Sequence, residues 1–248
     1  MRSGAIATTL SSEAYHIIRQ RILRGEVVIG QVISRRKLAA ELGMSFLPIS
    51  EALQKLEFEG LLESRPRAGT RVRIPSRQDV YGHYVLREAL EVQAARLFCE
   101  VATTEQRDEL KRLAIRVDGL AAASDAARID FLTHHERFHR RIAECSRCPS
   151  LVDAIEKTHA LSSTWLCVAK PDPTNLAPGR HESIAAALCG IDPLAASESM
   201  RAHIVQAREL LLKRLEPYFK LLRSRPKTFS RNPKLFAMPL PAVPIVVV

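Results

Sequence analysis

Between Ser34 and Thr70 the apolar residues fall into two short helical repeats and then a brief pair of extended stretches. Leu38, Ala39 and Leu42 share one face of a helix that Ser34 can cap and Gly43 can end, because glycine enters the left-handed backbone region without steric cost. Ser45 can start the next helix, with Pro48 tolerated in its first turn, where the missing N–H has no helical partner anyway. Ile49, Ala52, Leu53 and Leu56 then recur at helical spacing until Gly60. Leu61, Leu62 and Val72 predict two short strands joined through Arg65-Pro66-Arg67-Ala68-Gly69. Helix, tight turn, helix and basic hairpin in this order are the plan of a winged helix-turn-helix, which docks on duplex DNA.

From about Ser76 the pattern changes. Proline and glycine are scarce until the 171–179 stretch, and apolar residues recur at helical spacing, predicting helices over 77–100, 104–122, 126–145, 150–168, 180–190 and 193–216. Asp125 and Pro149 are start signals, and the loop Ala169–Asn175 is the main break. Nothing here reads as a strand. The expected fold is therefore mainly α: an N-terminal winged helix-turn-helix over 1–75, then an all-helical bundle over 76–216. Residues 217–248, with five prolines after Pro217 and an apolar end at Ile245-Val246-Val247-Val248, read as a Pro-rich basic tail, disordered or loosely docked.

At 248 residues and 46% hydrophobic content the chain can bury two modest cores or one large one. It has no apolar run of about 18 residues to span a membrane, and its first twenty residues lack the apolar core of a signal peptide, so a cytoplasmic location is expected. Charge is uneven. Residues 1–75 hold 12 Lys and Arg against 7 Asp and Glu, and residues 217–248 hold 6 against none, so the +10 net charge sits at the two ends. A basic head on a near-neutral body suits a phosphate-binding module joined to a sensing or dimerising one. Five cysteines lie at 99, 145, 148, 167 and 189. Cys145-Ser146-Arg147-Cys148 has the spacing of a redox pair or half a zinc site, but with no second such pair the expectation is free thiols.

Two sets of side chains carry chemistry. Arg65 and Arg67 at the hairpin tip suit phosphate or minor-groove contact. In the bundle, His135 and His139 lie four apart on one helix, and His181 and His203 lie on two later helices. They could converge on a metal in the bundle core, although half-buried packing histidines give the same spacing.

The first segment resembles the DNA-binding domain of GntR-type transcription regulators, through Met44-Ser45-Phe46-Leu47-Pro48-Ile49-Ser50-Glu51-Ala52-Leu53 and Glu59-Gly60-Leu61. The resemblance implies DNA contacts from Arg36, Ser45, Phe46, Ser50, Arg65, Arg67 and Gly69. Phe46 and Ser50 stand where the family usually has arginine, so two guanidinium contacts are missing and an altered sequence preference is expected, Phe46 being able to touch a thymine methyl. The middle region is similar to the ligand-sensing FCD bundle of the FadR branch, through His135-Glu136-Arg137-Phe138-His139, His181-Glu182-Ser183-Ile184, Gly190-Ile191-Asp192 and Met200-Arg201-Ala202-His203. That resemblance implies a divalent metal held by His139, His181 and His203, with His135 in the place of the family's aspartate, a change that favours Zn²⁺ or Ni²⁺. It also implies a small carboxylate effector beside the metal. Arg87 stands where relatives place an effector-contacting arginine, with an i,i+4 surface pair to Glu91 as the other reading. Cys148-Pro149 replaces a usual Asn-Pro, putting a thiol where a better helix cap is common.

The function these features predict is an effector-controlled transcription regulator, a homodimer on a palindromic operator in double-stranded DNA, since two-fold protein symmetry demands matching half-sites. A regulator that senses the metal itself is the alternative. A metal-dependent hydrolase fits poorly, because Glu136 and Glu182 point about 100° away from the histidines beside them and no nucleophile elbow, phosphate loop or dinucleotide fingerprint is present.

Overall fold

The computed structural model describes residues 9–27, 29–65, 69–121, 128–168 and 179–223. The chain divides after Ile74 into two compact units.

The first unit opens on α1 (Leu10–Leu23), an element absent from the sequence expectation. Thr9 caps it by accepting from the Ser12 N–H, and its buried Ala14, Tyr15, Ile18 and Ile22 pack on α3 (Phe46–Phe58). There they meet Ile49, Ala52, Leu53 and Leu56, each at most 1% exposed. The Tyr15 hydroxyl also donates to the Glu59 carboxylate at 2.9 Å, tying α1 to the end of α3. Between them α2 (Arg35–Leu42) is capped as the sequence suggests: the Ser34 hydroxyl accepts from Lys37 N–H, and Gly43 leaves the helix at φ +63°. β2 (Leu62–Arg65) and β3 (Gly69–Val72) form the expected antiparallel hairpin, in register Leu62 with Val72 and Arg65 with Gly69. A third strand, β1 (Val32–Ile33), pairs with the other edge of β3 and gives the order β1-β3-β2. Two residues are too few for an alternation signal, which is why periodicity missed it.

The second unit is helical throughout its described residues. α4 (Arg77–Val101) starts in a capping box, Ser76 bonding the Asp79 N–H and Asp79 bonding the Ser76 N–H. It is followed by α5 (Thr104–Ala121), α6 (Arg128–Cys145), α7 (Pro149–Val168), α8 (Arg180–Leu188) and α9 (Pro193–Arg223). Their inner faces bury one core that includes Tyr84, Phe98, Phe138, Trp165, Met200 and Leu215. Each such large apolar side chain contributes about 1.5–3 kcal/mol by leaving water.

One boundary needs correcting. α9 runs on through Pro217 to Arg223 instead of stopping at 216. Proline removes one backbone hydrogen bond, but Leu211, Leu212, Leu215 and Phe219 continue one buried stripe across it, and their burial outweighs the loss. Residues 224–248, the Ala169–Asn175 loop and Asp125 lie outside the described residues.

Candidate functional site

The DNA-facing candidates gather on α2, the start of α3 and the wing. Ser45 begins α3 without a side-chain cap bond, so its exposed hydroxyl is available to a phosphate oxygen. Phe46 and Leu47 follow it, 56% and 67% exposed, an unusual place for two large apolar side chains. Ser50 is half-buried, and its hydroxyl donates to the Phe46 carbonyl at 2.9 Å. It therefore points along its own helix. Arg36 is exposed on α2, and Arg65 is half-exposed at the end of β2, 3.8 Å from Glu63. Gly69 opens β3 at φ +79°, and a methyl group there would meet Val32 Cγ1 at an ordinary 3.6 Å. Backbone conformation, not space, demands glycine at that point. Arg67 lies outside the described residues. Sequence reasoning missed Arg35, whose Nη2 reaches Thr70 Oγ1 at 3.4 Å. With Arg65 it flanks an open depression lined by Ile33, Ser64, Gly69 and Thr70.

The four histidines converge. α6 sets His135 and His139 one turn apart on a single face, with ring centroids 4.6 Å from each other. α8 brings His181 to 5.2 Å from His135, and α9 brings His203 to 5.0 Å from His181 and 5.3 Å from His139. One nitrogen from each ring lies within 4.8 Å of the others, and all four residues are buried. Burial holds His135, His139 and His203 below the ordinary histidine range, and the neighbouring imidazoles push His135 and His203 further the same way. For His139, brought down to about 3, Glu91 acts in the opposite sense. For those three rings, the neutral imidazole that burial favours is the protonation state that metal ligation needs.

Two carboxylates orient the rings. Asp118 on α5 places Oδ1 2.6 Å from His181 Nδ1, while its Oδ2 accepts the backbone N–H groups of His181 and Glu182 at 2.9 and 3.0 Å. It thereby caps α8, whose own N-cap is Gly179 in the left-handed conformation. Burial raises the Asp118 pKa, but the bonds to His181 and Glu182 more than offset this and hold it below its usual value. An ionised carboxylate only accepts, so Nδ1 of His181 carries the proton and Nε2, which has no hydrogen-bond partner, keeps its lone pair. Glu91 on α4 stands in a comparable place beside His139: Oε2 lies 2.6 Å from Nδ1, off hydrogen-bond alignment, and His139 Nε2 has no partner.

Glu91 also anchors a buried polar network. It accepts from Arg87 Nε at 2.6 Å and lies 3.2 Å from Nε2 of His159, while Arg87 Nη1 reaches Ser162 Oγ at 3.4 Å. Burial raises the Glu91 pKa, but the Arg87 charge, with the imidazoles of His139 and His159 beside it, overcomes this and holds the group well below its usual range. The i,i+4 pair between Arg87 and Glu91 therefore exists, but as an interior pair with both side chains at most 2% exposed, not as a surface pair. Tyr84 lies against Arg87, whose guanidinium is 5.1 Å from its ring centre, and Nε and Nη2 of Arg180 are buried without a hydrogen-bond partner. Arg137 and Arg140 sit on the wet side of α6, as their helical positions suggest. Cys145 and Cys148 are free thiols.

Asp118, His159, Arg180 and Tyr84 were not singled out from the sequence, and Glu91 was named only as a surface partner of Arg87. Asp118 lies 63 residues from its partner His181, so no local spacing could pair them. Glu91, four residues after Arg87 on one helix face, carried the only local signal.

Residues 10–72 match the family described as "Bacterial regulatory proteins, gntR family", and residues 83–206 match the FCD domain. A protein of Paenarthrobacter nicotinovorans named "Probable D-xylose utilization operon transcriptional repressor" is 30% identical over 79% of this chain and 86% of its own length. "HTH-type transcriptional repressor RspR" of Escherichia coli K12 is 24% identical over 81% of this chain and 88% of its own. Among solved structures, E. coli McbR/YncC superposes with a TM-score of 0.70 at 22% identity, covering 84% of this chain and 99% of that one. A regulator assigned to GntR from Rhodococcus sp. RHA1 gives the same TM-score at 21% identity, over 82% and 97%. The chain therefore belongs to the GntR family of bacterial regulatory proteins, in its FCD-containing form, and is a DNA-binding transcriptional regulator and not an enzyme.

Proposed function

We propose that this regulator works in the cytoplasm as a homodimer on a palindromic operator, and that a small carboxylate bound beside a divalent metal in the helical unit controls it. On the DNA side, Arg36, Arg65, Arg67 and the Ser45 hydroxyl contact phosphates, Gly69 lets the wing approach, and Phe46 faces the bases, with Ser50 one turn on keeping its hydroxyl on the Phe46 carbonyl. The exposed Phe46 meets a thymine methyl, where an arginine would pair with guanine.

One observation carries the sensing half of this reading: four buried imidazoles offer nitrogens within 4.8 Å of one another, with Nε2 of His139 and of His181 unpartnered. Unpaired buried polar atoms are costly, and a shared cation relieves several at once. His135, His139, His181 and His203 would hold the ion, and four imidazoles suit Zn²⁺ or Ni²⁺ better than harder cations. A bound ion supplies Lewis acidity toward a carboxylate oxygen. The chain's own residues do the remainder: Asp118 and Glu91 fix the ring orientations, and Arg87 is the residue assigned to the effector carboxylate. Such an effector shifts DNA affinity only as far as it binds two arrangements of the protein unequally.

Metal analysis of purified protein, followed by operator titrations with and without chelator and with and without carboxylates, tests this reading. Absence of metal at stoichiometric level after growth in zinc- or nickel-supplemented medium would refute the metal. If stripping the metal alone reverses DNA binding while carboxylates do nothing, the ion is itself the signal.

A further inference from the structure

We propose that Phe46 and Leu47 together form a methyl-reading patch, which takes the 5-methyl groups of two neighbouring pyrimidines, thymine or 5-methylcytosine, in the major groove. The proposal rests on the reading that Phe46 faces the bases, and it adds Leu47 as a second reading residue.

Two large apolar side chains stand side by side at the start of α3, and neither is covered: Phe46 is 56% exposed and Leu47 67%. The core of the first unit does not use them. Its share of α3 is the stripe Ile49, Ala52, Leu53 and Leu56, each at most 1% exposed, and Leu47 lies across the helix axis from that stripe. In a helix-turn-helix the N-terminal residues of the second helix are the ones that meet base edges. The uncovered pair stands at that point of the DNA-binding unit.

The patch is held in place before DNA arrives. Pro48 follows directly and fixes its own backbone at a helical φ, and the Ser50 hydroxyl donates to the Phe46 carbonyl at 2.9 Å. Little backbone freedom is left to lose on docking. The same bond turns the Ser50 proton into the helix and leaves the ring and the isobutyl group as the outward surface.

Its chemistry sets what it reads. From Phe46 to Leu53 the only charged side chain is Glu51, so no guanidinium or ammonium stands there to pair with guanine or with phosphate. The one apolar substituent on the major-groove edges is the pyrimidine 5-methyl. Consecutive helical residues diverge by about 100° and rise about 1.5 Å, so the two side chains reach methyls of neighbouring base pairs and not one shared methyl. Cytosine and uracil present a bare C5–H and leave a gap. Because phosphate anchoring belongs to Arg36 and the wing, the patch adds affinity that salt does not screen.

The test uses the full chain. An operator is selected by wild type from random duplexes, its thymines are replaced one at a time by uracil, cytosine or 5-methylcytosine, and binding is measured by fluorescence anisotropy for wild type, Phe46→Ala, Leu47→Ala and Leu47→Met. Both side chains are exposed, so melting points should stay at the wild-type value. Expected are two neighbouring positions in each half-site where uracil weakens wild-type binding about three- to tenfold, the range that one buried methyl commands. Methylating cytosine at those positions should restore affinity by a similar factor. Leu47→Ala should lose the discrimination at one position, Phe46→Ala at the other, and Leu47→Met should keep both, all with the wild-type slope of log affinity against log salt. Equal binding of thymine and uracil operators, methyl discrimination at both positions in Leu47→Ala, or a salt slope reduced by Leu47→Ala would each overturn the assignment. So would a changed oligomeric mass in Leu47→Ala with DNA affinity untouched, which marks the patch as a contact between proteins. A single methyl-sensitive position that responds to Phe46→Ala alone removes Leu47 and leaves the Phe46 contact standing; one that responds to Leu47→Ala alone removes Phe46.

Discussion

Replacing Asp118 separates two tasks that one carboxylate performs. Oδ2 caps α8 through two backbone N–H groups, and Oδ1 fixes the tautomer of His181. In Asp118→Asn the amide oxygen can keep the cap, but the amide nitrogen then presents N–H to His181 Nδ1. The ring responds by moving its proton to Nε2, which faces the cluster and loses its lone pair. Removing an outer carboxylate of this kind lowers metal affinity about 10–100-fold, or about 1.4–2.8 kcal/mol. Asp118→Ala loses the cap as well. Two backbone N–H groups lose their acceptor, and α8 has no substitute because Gly179 offers no side chain. A lost cap costs about 0.5–2 kcal/mol, which lowers the melting point of the metal-free protein by roughly 2–8 °C. Competition with a colorimetric chelator reads zinc affinity, and scanning calorimetry of stripped protein reads stability. The expected pattern is weakened metal binding in both variants and a clear loss of metal-free stability only in Asp118→Ala. Zinc affinity within twofold of wild type in Asp118→Asn would refute the orienting role, and equal melting points for wild type and Asp118→Ala would refute the cap.

The metal-free protein should lose stability in mild acid. Burial depresses His139 to about 3 and His83 to about 4, with His135 and His203 also lowered. Below the unfolded value of about 6.5 the unfolded chain binds more protons than the fold, so this contribution is complete above about pH 6.5 and is lost as pH falls toward 4. At pH 5.5 the loss amounts to about 1.4 kcal/mol for each histidine that stays neutral, and urea unfolding at pH 7.5 and 5.5 measures it; equal stabilities would contradict the buried neutral cluster. On the DNA side, Arg36→Ala should weaken binding to all sequences and reduce the slope of log affinity against log salt by about one, whereas Phe46→Ala should leave that slope unchanged and erase a preference for thymine at one operator position. An unchanged slope in the first, or an unchanged sequence preference in the second, would displace those residues from the interface. Leu53→Ala, at a site 1% exposed beneath α1, should destabilise the first unit by about 2–5 kcal/mol in urea unfolding, and a smaller loss would mean that the site collapses onto the cavity.

Local chemistry made the caps, the hairpin and the core stripe of α3 legible, because each depends on residues a few positions apart. Ser34 and Gly43 bound α2 where their backbone preferences dictate. His135 and His139 had to share a face for the same reason. The partners of those side chains were not legible. Asp118 meets His181, and Glu91 meets His159, through packing of helices far apart in the chain, and one sequence carries no record of which polar residues face inward together. Arg87 shows the limit most plainly: its spacing to Glu91 announced a pair, but only the surrounding bundle decided that the pair is interior. Pro217 misled for the converse reason, since a local breaker was overridden by a stripe of buried leucines.

The exchange of aspartate for His135 changes more than ligand identity. A carboxylate among the ligands would neutralise half the charge of a divalent ion from within the first set of contacts, whereas four neutral imidazoles leave that charge whole in a region where unshielded charge is expensive. Glu91 does not make up the difference, because Arg87 already matches it, and Asp118 offers one negative charge only from behind His181. On the proposed reading, the charge still missing would arrive with the ligand. Ion and anion would then be thermodynamically coupled, each raising the other's affinity by the same factor. Such a site would differ from an independently stable metal centre in being electrically complete only with the effector present.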